Sequence, residues 1–323
     1  MTSPLLETRN LTRSFSVRPG MFGKPLLLKA VDGVNLSIAA GETLGLAGES
    51  GCGKSTLARL LMGLLPPAGG EVFYGGAPLS AMGKEARLTF RKDVQMIFQD
   101  PFSSLNPRMR VGDIIGEPLA IHGMGRHRSR ILELMADVGL SEEYFDRYPH
   151  EFSGGQRQRI GIARALAVSP RVILADEPVS ALDISIQAQI INLLQDLKRD
   201  LGLSYLFIAH DLSVVRHMSD RIGIMYLGKI VELGSGEDVF KRFLHPYTEA
   251  LISAIPRIAP GTGRHSVVLK GDIPSPFAPP SGCPFHTRCP YAEPPVCSEI
   301  PPPLEEKEPG HFCSCHFSSR LFR

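Results

Sequence analysis

The sequence predicts an α/β protein built around a parallel sheet. Residues 172–175 and 205–208 are almost entirely apolar, as expected of parallel strands that helices cover on both faces. The stretch between them carries apolar residues at helical spacing, which predicts the strand–helix–strand crossover unit of a parallel sheet. The apolar positions of this predicted helix are Ile186, Ile190, Leu193, Leu194 and Leu197.

Length and composition are those of an ordinary globular chain. The 323 residues predict about two domains, and a hydrophobic content of 43% is ample for a packed core. The 35 basic and 33 acidic residues are well mixed and leave a formal net charge of +2. Because no basic field stands out, the composition does not indicate a nucleic-acid partner.

Neither a membrane span nor a secretory signal is evident in the sequence. A membrane-spanning helix needs about 18 or more apolar residues, whereas the best candidate, residues 57–65, contains Arg59 and ends at Pro66. The amino terminus carries Glu7 and lacks the basic-then-apolar pattern of a signal peptide. We therefore expect a cytoplasmic chain that does not cross the membrane.

A glycine-rich loop matches the phosphate-binding pattern G-x-x-x-x-G-K-[ST] at every required position. Strand-like residues 42–47 precede it, and a predicted helix opens at Ser55 with its positive dipole end at the phosphates. The glycines let backbone N–H groups turn inward, Lys54 reaches the outer phosphates, and the Ser55 hydroxyl can ligate Mg²⁺. The residues predicted to bind a nucleoside triphosphate are Gly48, Glu49, Ser50, Gly51, Cys52, Gly53, Lys54, Ser55 and Thr56.

The pattern divides the chain into two regions. Residues 5 to about 91 mix strand-like runs with the phosphate loop, and residues 101 to about 167 are helical in pattern, with Pro118 among the breaks. Of the 27 prolines, 14 follow Ile255, which is typical of a linker. We predict a nucleotide-binding domain over 1–255 and a Pro/Cys-rich extension over 256–323.

The apolar face predicted for the helix after the phosphate loop consists of Leu57, Leu60, Leu61 and Leu64.

Two adjacent carboxylates follow the apolar run at 172–175. Asp176 and Glu177 should lie at the carboxyl end of a strand, where ligands of open α/β sheets gather. One carboxylate must stay ionised to hold a cation, directly or through water, and the other must polarise the attacking water. We therefore predict Asp176 as the Mg²⁺ partner and Glu177 as the general base, beside Lys54. Two acids can also simply cap a turn, but a phosphate loop in the same chain favours the catalytic interpretation.

A second phosphate-binding feature is indicated by residues 152–159, which read Phe-Ser-Gly-Gly-Gln-Arg-Gln-Arg. A serine and two glycines at a helix start form an anion-binding concavity. The chain already has one phosphate loop, so this second concavity is best explained as serving the nucleotide of a partner subunit. The residues concerned are Ser153, Gly154, Gly155 and Gln156.

These eight residues resemble the Leu-Ser-Gly-Gly-Gln signature of the ATP-binding cassette (ABC) family, with Phe152 replacing leucine. The resemblance covers about residues 5–255 and implies a RecA-like P-loop NTPase fold with an antiparallel β part and a helical subdomain. It also implies that Gln99 is the Q-loop residue, which senses Mg²⁺ and contacts a membrane subunit. Residues 180–183, Ser-Ala-Leu-Asp, match the D-loop.

Two further positions acquire roles from the same resemblance. His210 matches the switch histidine that contacts the γ-phosphate, although a lone histidine after a strand is more often a core or surface group. Phe15 resembles the aromatic residue on which adenine stacks, and an ordinary core phenylalanine is the alternative. We predict His210 as part of the catalytic set and Phe15 as part of the nucleotide site.

Three phrases and the tail resemble the ATPases of oligopeptide/dipeptide importers. The resemblance implies ATP-driven import of di- or oligopeptides, with nickel or another solute as the alternative within the subfamily. It also implies a second cassette, usually a different chain, two transmembrane permease subunits and an extracytoplasmic solute-binding protein. The expected location is the cytoplasmic face of the inner membrane. The three phrases occupy residues 29–34, 97–107 and 245–248, and the tail motif begins at Gly282.

Five of the six cysteines lie within residues 283–323. In a reducing compartment, such a group more often binds metal than forms disulfides. The spacing Cys-x5-Cys-x7-Cys lacks the paired knuckles common in zinc sites, whereas Cys₄ clusters tolerate wider spacing. Relatives in the resembled subfamily carry a [4Fe-4S] centre there, so we predict such a cluster with a structural role. Zinc and unligated thiols are the alternatives.

The family's tail pattern identifies the ligands of this cluster. It implies Cys283, Cys289 and Cys297, followed by an apolar residue, a variable one and the fourth cysteine. Laid on Phe312 to His316, the pattern makes Cys315 the fourth ligand and Cys313 the apolar position. Cys313 stays open as the alternative ligand.

Two other functional classes compete with a transporter subunit. A soluble cassette of the translation or DNA-repair type would usually carry tandem cassettes or a long coiled-coil insertion, and the sequence shows neither. A non-enzymatic metal sensor would explain the cysteines but not the phosphate-binding residues.

Overall fold

The structure is a computed structural model that describes residues 4–18, 25–255, 269 and 271–322, with the side chains of all but residues 101 and 102. The strands in this part of the chain are β1 (Leu6–Val17), β2 (Leu26–Ile38), β3 (Thr43–Ala47), β4 (Gly69–Tyr74), β5 (Ala77–Pro78), β6 (Val94–Ile97), β7 (Val172–Asp176), β8 (Ser204–Ile208), β9 (Arg221–Tyr226), β10 (Lys229–Ser235), β11 (Glu305–Glu308) and β12 (His311–Cys313).

The α-helices of the same residues vary from one turn to five. They are α1 (Lys54–Leu61), α2 (Lys84–Asp93), α3 (Pro101–Ser104), α4 (Val111–Ile121), α5 (Arg128–Asp137), α6 (Gly154–Leu166), α7 (Ile184–Leu201), α8 (Leu212–Met218), α9 (Gly236–Lys241), α10 (Pro246–Ser253), α11 (Val296–Glu299) and α12 (Ser318–Leu321). Short 3₁₀ turns occupy Leu79–Ala81, Glu142–Tyr144 and Pro149–Glu151.

Two sheets organise the molecule. The main sheet has eight strands in the order β11-β12-β10-β9-β3-β8-β7-β6, and its central members β9, β3, β8, β7 and β6 run parallel. The second sheet is antiparallel, with the order β2-β1-β4-β5. The predicted parallel sheet is confirmed, and the two apolar runs that predicted it are the neighbouring strands β7 and β8.

Both faces of the parallel sheet are covered, which explains why its strands are apolar throughout. On β8, Leu206 and Ile208 face one core together with Leu57 of α1. Tyr205 and Phe207, which alternate with them, face the other core together with helix α7. The predicted stripe of α7 supplies buried Ile190, Leu194 and Leu197, with Ile191 added and Ile186 and Leu193 only partly buried.

The helical region between α3 and α6 follows the predicted pattern with one correction. Pro118 was expected to separate helices, but it lies inside α4, where a proline forgoes one backbone hydrogen bond. The helix instead ends just before Gly123, which adopts φ 69°. Helix α6 packs against α4 and α5 in this region.

Helix α1 is shorter than its leucine pattern indicated. Leu57, Leu60 and Leu61 are buried as predicted, but Leu64 lies beyond the helix and is 57% exposed. Gly63, with φ 67°, ends the helix, and the two prolines at 66 and 67 prevent its continuation. The prediction for Leu64 was therefore wrong.

The carboxy-terminal segment joins the main sheet. Strand β12 pairs with β10 through Cys313 and Glu232, and β11 pairs with β12 at the sheet edge. The predicted domain boundary at 255/256 stays a prediction, because residues 256–268 lie outside those described. No helix among the described residues combines the length and apolarity that crossing a membrane requires.

Candidate nucleotide-binding site

The predicted nucleotide residues converge at one edge of the main sheet. Strands β3, β6, β7 and β8 are parallel neighbours in that sheet, so their carboxyl ends meet at this edge. The phosphate loop follows β3, Gln99 follows β6, the Asp176–Glu177 pair ends β7, and His210 follows β8. Four segments that are distant in sequence therefore share one surface.

The phosphate loop requires glycine at its last turn before α1. Gly53 adopts φ 112°, and a Cβ there would lie 2.0 Å from the carbonyl oxygen of Ala30. Lys54 is buried, and its Nζ donates to the carbonyl oxygens of Gly48 at 2.8 Å and Glu49 at 3.0 Å. Its ammonium group is thus held inside the loop by bonds that phosphate oxygens can replace.

Ser55 and Asp176 form the predicted magnesium pair. The Ser55 hydroxyl donates to Asp176 Oδ1 at 2.9 Å. Burial raises the pKa of Asp176 and the neighbouring charge of Glu177 adds to the rise, whereas the bond from Ser55 opposes it. Hydroxyl and carboxylate oxygens at this separation fit Mg²⁺, which prefers oxygen ligands and retains several waters.

Two of the other predicted residues lie close to a single carboxylate oxygen of Glu177. Gln99 Nε2 donates to its Oε2 at 2.9 Å, and His210 Nδ1 lies 3.6 Å from the same atom. The backbone of Glu177 has φ 47°, an uncommon conformation for a non-glycine residue, and its N–H donates to the Ile208 carbonyl at 2.9 Å. Backbone strain of this kind is often found at functional sites.

The signature residues lie apart from this group. Ser153 is exposed and caps α6, accepting from the Gln156 N–H at 3.3 Å while its own N–H donates to Gln156 Oε1 at 3.0 Å. Gly155 packs so closely on α7 that a Cβ would lie 2.5 Å from a methyl of Ile186. The helix N-terminus that Ser153 and Gly154 open is therefore available at the surface.

Phe15 is not joined to the phosphate loop by the bonds described above. It lies on β1 in the antiparallel sheet, half-buried, with the Arg13 guanidinium 4.9 Å from the centre of its ring. The Phe15 ring therefore lies on the second, antiparallel sheet, and its role in adenine stacking stays a prediction.

The four predicted cluster thiols line one small cavity in the carboxy-terminal segment. They are Cys283, Cys289, Cys297 and Cys315. Burial raises the pKa of Cys283 to about 11 and that of Cys289 to about 12, and it also raises the pKa of Cys315. Among the residues described, no group of three or more His, Cys, Asp or Glu side chains is arranged to hold a single metal ion.

Cys313, the alternative fourth ligand, is turned elsewhere. It is fully buried on β12, and its Sγ donates to the carbonyl oxygen of Leu244 at 3.2 Å. Three histidines also line the cavity. His286 Nδ1 lies 2.8 Å from the Cys283 carbonyl, His316 Nε2 lies 2.9 Å from that of Ile300, and His245 Nδ1 accepts from the Tyr247 N–H at 3.0 Å. Four thiols and three imidazoles therefore line the same small cavity.

Two residues that contact the phosphate loop were missed by the sequence reasoning. Arg288 pairs with the carboxylate of Glu49, and the Tyr247 hydroxyl accepts a hydrogen bond from the Glu49 N–H at 2.9 Å. Both residues occur in phrases that carried the family resemblance, but neither has a local signal for contact with the loop.

The site and the fold define an ATPase of the ABC type. The "ABC transporter" family model matches residues 31–180, and the model "Oligopeptide/dipeptide transporter, C-terminal region" matches residues 231–297. The dimeric structure of the ATP-binding cassette MJ0796 bound to ADP and Pi is similar, with a TM-score of 0.63 at 30% identity. The alignment covers 71% of this chain and 98% of that one.

Full-length relatives identify the family. The oligopeptide transport ATP-binding protein AppF of Bacillus subtilis (strain 168) is 52% identical, covering 98% of this chain and 98% of the relative. The dipeptide transport ATP-binding protein DppF of Escherichia coli (strain K12) is 48% identical, over 95% and 92%. The chain belongs to the family of oligopeptide and dipeptide transport ATP-binding proteins.

Proposed function

We propose that this chain hydrolyses ATP to drive the import of di- or oligopeptides, bound to the cytoplasmic face of a membrane transporter. The observation that carries the catalytic part is the convergence of Gln99 and His210 on one oxygen of Glu177, beside the bonded pair Ser55–Asp176. The names of the full-length relatives support the peptide cargo. Two permease subunits and an extracytoplasmic binding protein would complete the transporter, and nickel or another solute is the alternative cargo.

The residues divide the work of hydrolysis. Lys54 exchanges the Gly48 and Glu49 carbonyls for outer phosphate oxygens, which places its charge where negative charge develops. Glu177 acts as general base on the attacking water, and Gln99 and His210 orient its carboxylate by their contacts to Oε2. Ser55 and Asp176 would hold Mg²⁺, which when bound neutralises charge on the phosphates.

We further propose that a second cassette completes the site. Ser153, which is exposed, and the partly buried Gly154, Gly155 and Gln156 form a helix start that suits the phosphates of a nucleotide held by a companion chain. The dimeric relative with ADP and Pi supports this arrangement. ATP binding would close the pair and hydrolysis would reopen it, which drives the transmembrane subunits.

We propose, from the family resemblance and the cysteine spacing, that the four thiols lining this cavity hold a [4Fe-4S] cluster with a structural role. Zinc, the alternative, would draw its four ligands to about 2.3 Å from one point. Within the described residues no group is arranged to hold a metal ion, so the choice of cluster over zinc rests on the resemblance and the spacing. A cluster is larger and takes one thiolate at each iron. Cys283, Cys289, Cys297 and Cys315 would be its ligands, and binding would displace protons from the buried thiols.

The glutamate variant Glu177→Gln tests the proposed chemistry. The amide keeps the size of the side chain but cannot accept a proton, so we expect nucleotide binding to be retained and turnover to fall by roughly 10²-fold or more. Steady-state ATPase assays and nucleotide titration of the purified transporter measure the two quantities.

Glu42→Gln is the matched control. Glu42 is a half-buried glutamate that pairs with Arg221 at 2.9 Å, near the start of β3 and away from the site edge. This variant should keep its turnover. Near-normal turnover in Glu177→Gln would contradict the assignment of the base.

A further inference from the structure

A single arginine connects the cysteine-rich segment to the phosphate loop. Arg288 lies immediately before Cys289, and its side chain is only 8% exposed. Its Nη1 and Nη2 donate to the two carboxylate oxygens of Glu49 at 2.8 and 3.1 Å, across 239 positions of sequence. A bidentate ion pair with little solvent exposure fixes the orientation of both side chains and neutralises their charges.

Glu49, the partner of Arg288, is held at its backbone as well. Its N–H donates to the Tyr247 hydroxyl at 2.9 Å, and its carbonyl oxygen accepts from Lys54 Nζ at 3.0 Å. Lys54 is the residue proposed to bind the outer phosphates. The position of Glu49 therefore sets one of the two carbonyls that hold the lysine ammonium before nucleotide binds.

The same carboxy-terminal segment reaches the loop by two other routes. Phe285 is buried, and its ring centre lies 5.4 Å from that of Tyr247, the residue that accepts from the Glu49 N–H. Ile273 and Pro276 share with loop residues 49–52 the walls of a cavity of about 110 Å³. The segment thus contacts the loop directly through the Arg288–Glu49 pair, reaches it indirectly through Phe285 and Tyr247, and shares a cavity wall with it.

We propose that Arg288 is a positioning residue of the nucleotide site and that the cysteine-rich segment is thereby part of the phosphate-binding machinery. The inference rests on the proposed function, because it assigns Lys54 and the loop to ATP. Without Arg288, the Glu49 carboxylate stands unpaired beside the triphosphate, where like charges repel. With Arg288, this charge is neutralised and the loop is held in the conformation that receives phosphate.

A double-mutant cycle on the full chain tests the proposal. The variants are Arg288→Gln, Glu49→Gln and the combination of both, and the probe is a fluorescent ATP analogue titrated with Mg²⁺ present. We expect Arg288→Gln to weaken nucleotide binding about tenfold when Glu49 is intact, and by less than about twofold in the Glu49→Gln background. The KM for ATP should rise by the same factor while kcat changes little, because Arg288 does not touch the reacting atoms.

Arg242→Gln provides the matched control. Arg242 also links the body of the protein to the carboxy-terminal segment, through Asp238 on α9 and Glu308 on β11, so it reports the general effect of losing such an arginine. This variant should bind the analogue as the unmodified chain does.

Three results would overturn the inference. The first is an equal loss of nucleotide affinity from Arg288→Gln in both Glu49 backgrounds, and the second is no loss of affinity in either background. The third is failure of Arg288→Gln to fold in both backgrounds, which would make Arg288 a core residue instead. Folding in the Glu49→Gln background alone would support it, since the instability would then come from the unpaired carboxylate. If the unmodified chain itself bound no ATP analogue, the proposed function would fail; if it bound but the cycle showed no coupling, only this inference would fail.

Discussion

Asp176 and Glu177 are neighbours in sequence, and their surroundings give them different chemistry. Asp176 is 3% exposed and accepts a hydrogen bond from the Ser55 hydroxyl, so its carboxylate lies with Ser55 at the proposed cation position. Glu177 instead accepts a hydrogen bond from Gln99 and lies 3.6 Å from His210. The sequence alone predicted both roles, because a pair of acids that ends an apolar strand beside a phosphate loop has few other uses.

His245 carries a pH dependence of stability that can be measured. Burial lowers its pKa to about 3, and its Nδ1 accepts from the Tyr247 N–H at 3.0 Å as the cap of α10. The folded protein keeps this ring neutral, whereas the unfolded chain protonates it below about pH 6.5. Stability from this group is therefore full above about pH 6.5 and is lost as the pH falls toward 3.

We expect the free energy of unfolding to fall by about 2 kcal/mol more in the native chain than in His245→Asn between pH 7 and pH 4.5. Asparagine retains an acceptor for the helix cap but does not titrate. Urea unfolding of the full chain at several pH values measures the difference. His127→Asn changes an exposed histidine and should leave the slope unaltered, and an unaltered slope in His245→Asn would contradict the account.

At the scale of elements, strand β12 separates Cys315, the predicted fourth ligand, from Cys313, which the sequence left open as the alternative. A continued strand would place Cys313 and Cys315 on the same face, because side chains alternate with a period of two. The strand ends at Cys313, whose thiol bonds to the Leu244 carbonyl, and Cys315 lies past the end and faces the cavity. The end of the strand therefore favours Cys315 as the fourth ligand.

Iron content tests this assignment. Cys315→Ser should lose most of the iron of an anaerobically purified chain, from about four atoms per molecule for an intact cluster to near none. Cys313→Ser should retain its iron, since the hydroxyl can still donate to the Leu244 carbonyl. Unchanged iron in Cys315→Ser would exclude Cys315 as a ligand, and zinc in place of iron would exclude the cluster.

The sequence predicted the elements that have a local sequence signal. It missed contacts between residues that are far apart in the sequence. Strands β7 and β8 and helix α7 follow from apolar periodicity, and the phosphate loop follows from glycine and lysine spacing. The Arg288–Glu49 pair has no such signal, because 239 positions separate its members. Leu64 shows the opposite failure: its spacing is helical, but Gly63 ends the helix before it.

At the scale of the whole molecule, nucleotide chemistry and the carboxy-terminal segment belong to one structure. Strand β12 extends the main sheet by pairing with β10. The same carboxy-terminal segment also contacts the phosphate loop, through Arg288 and Glu49. The prolines and cysteines predict an extension over residues 256–323, and that boundary stays a prediction; composition carries no signal for the pairing of β12 with β10. Sheet pairing and the ion pair couple the two regions.

The position of the signature bears on the proposed pairing of two cassettes. Ser153 caps α6 at the surface, while the phosphate loop lies at the carboxyl end of β3. Closure of two cassettes would bring the signature of one to the loop of the other, which explains why one chain carries two phosphate-binding features.

A structure of the assembled transporter with Glu177→Gln and trapped Mg²⁺-ATP tests this claim most directly. We predict that each ATP contacts Lys54 or its counterpart in one cassette and the signature of the opposite cassette, with Ser153 of this chain over the companion's nucleotide. ATP held by Lys54 while Ser153 faces bulk solvent, with no second cassette over the γ-phosphate, would contradict it.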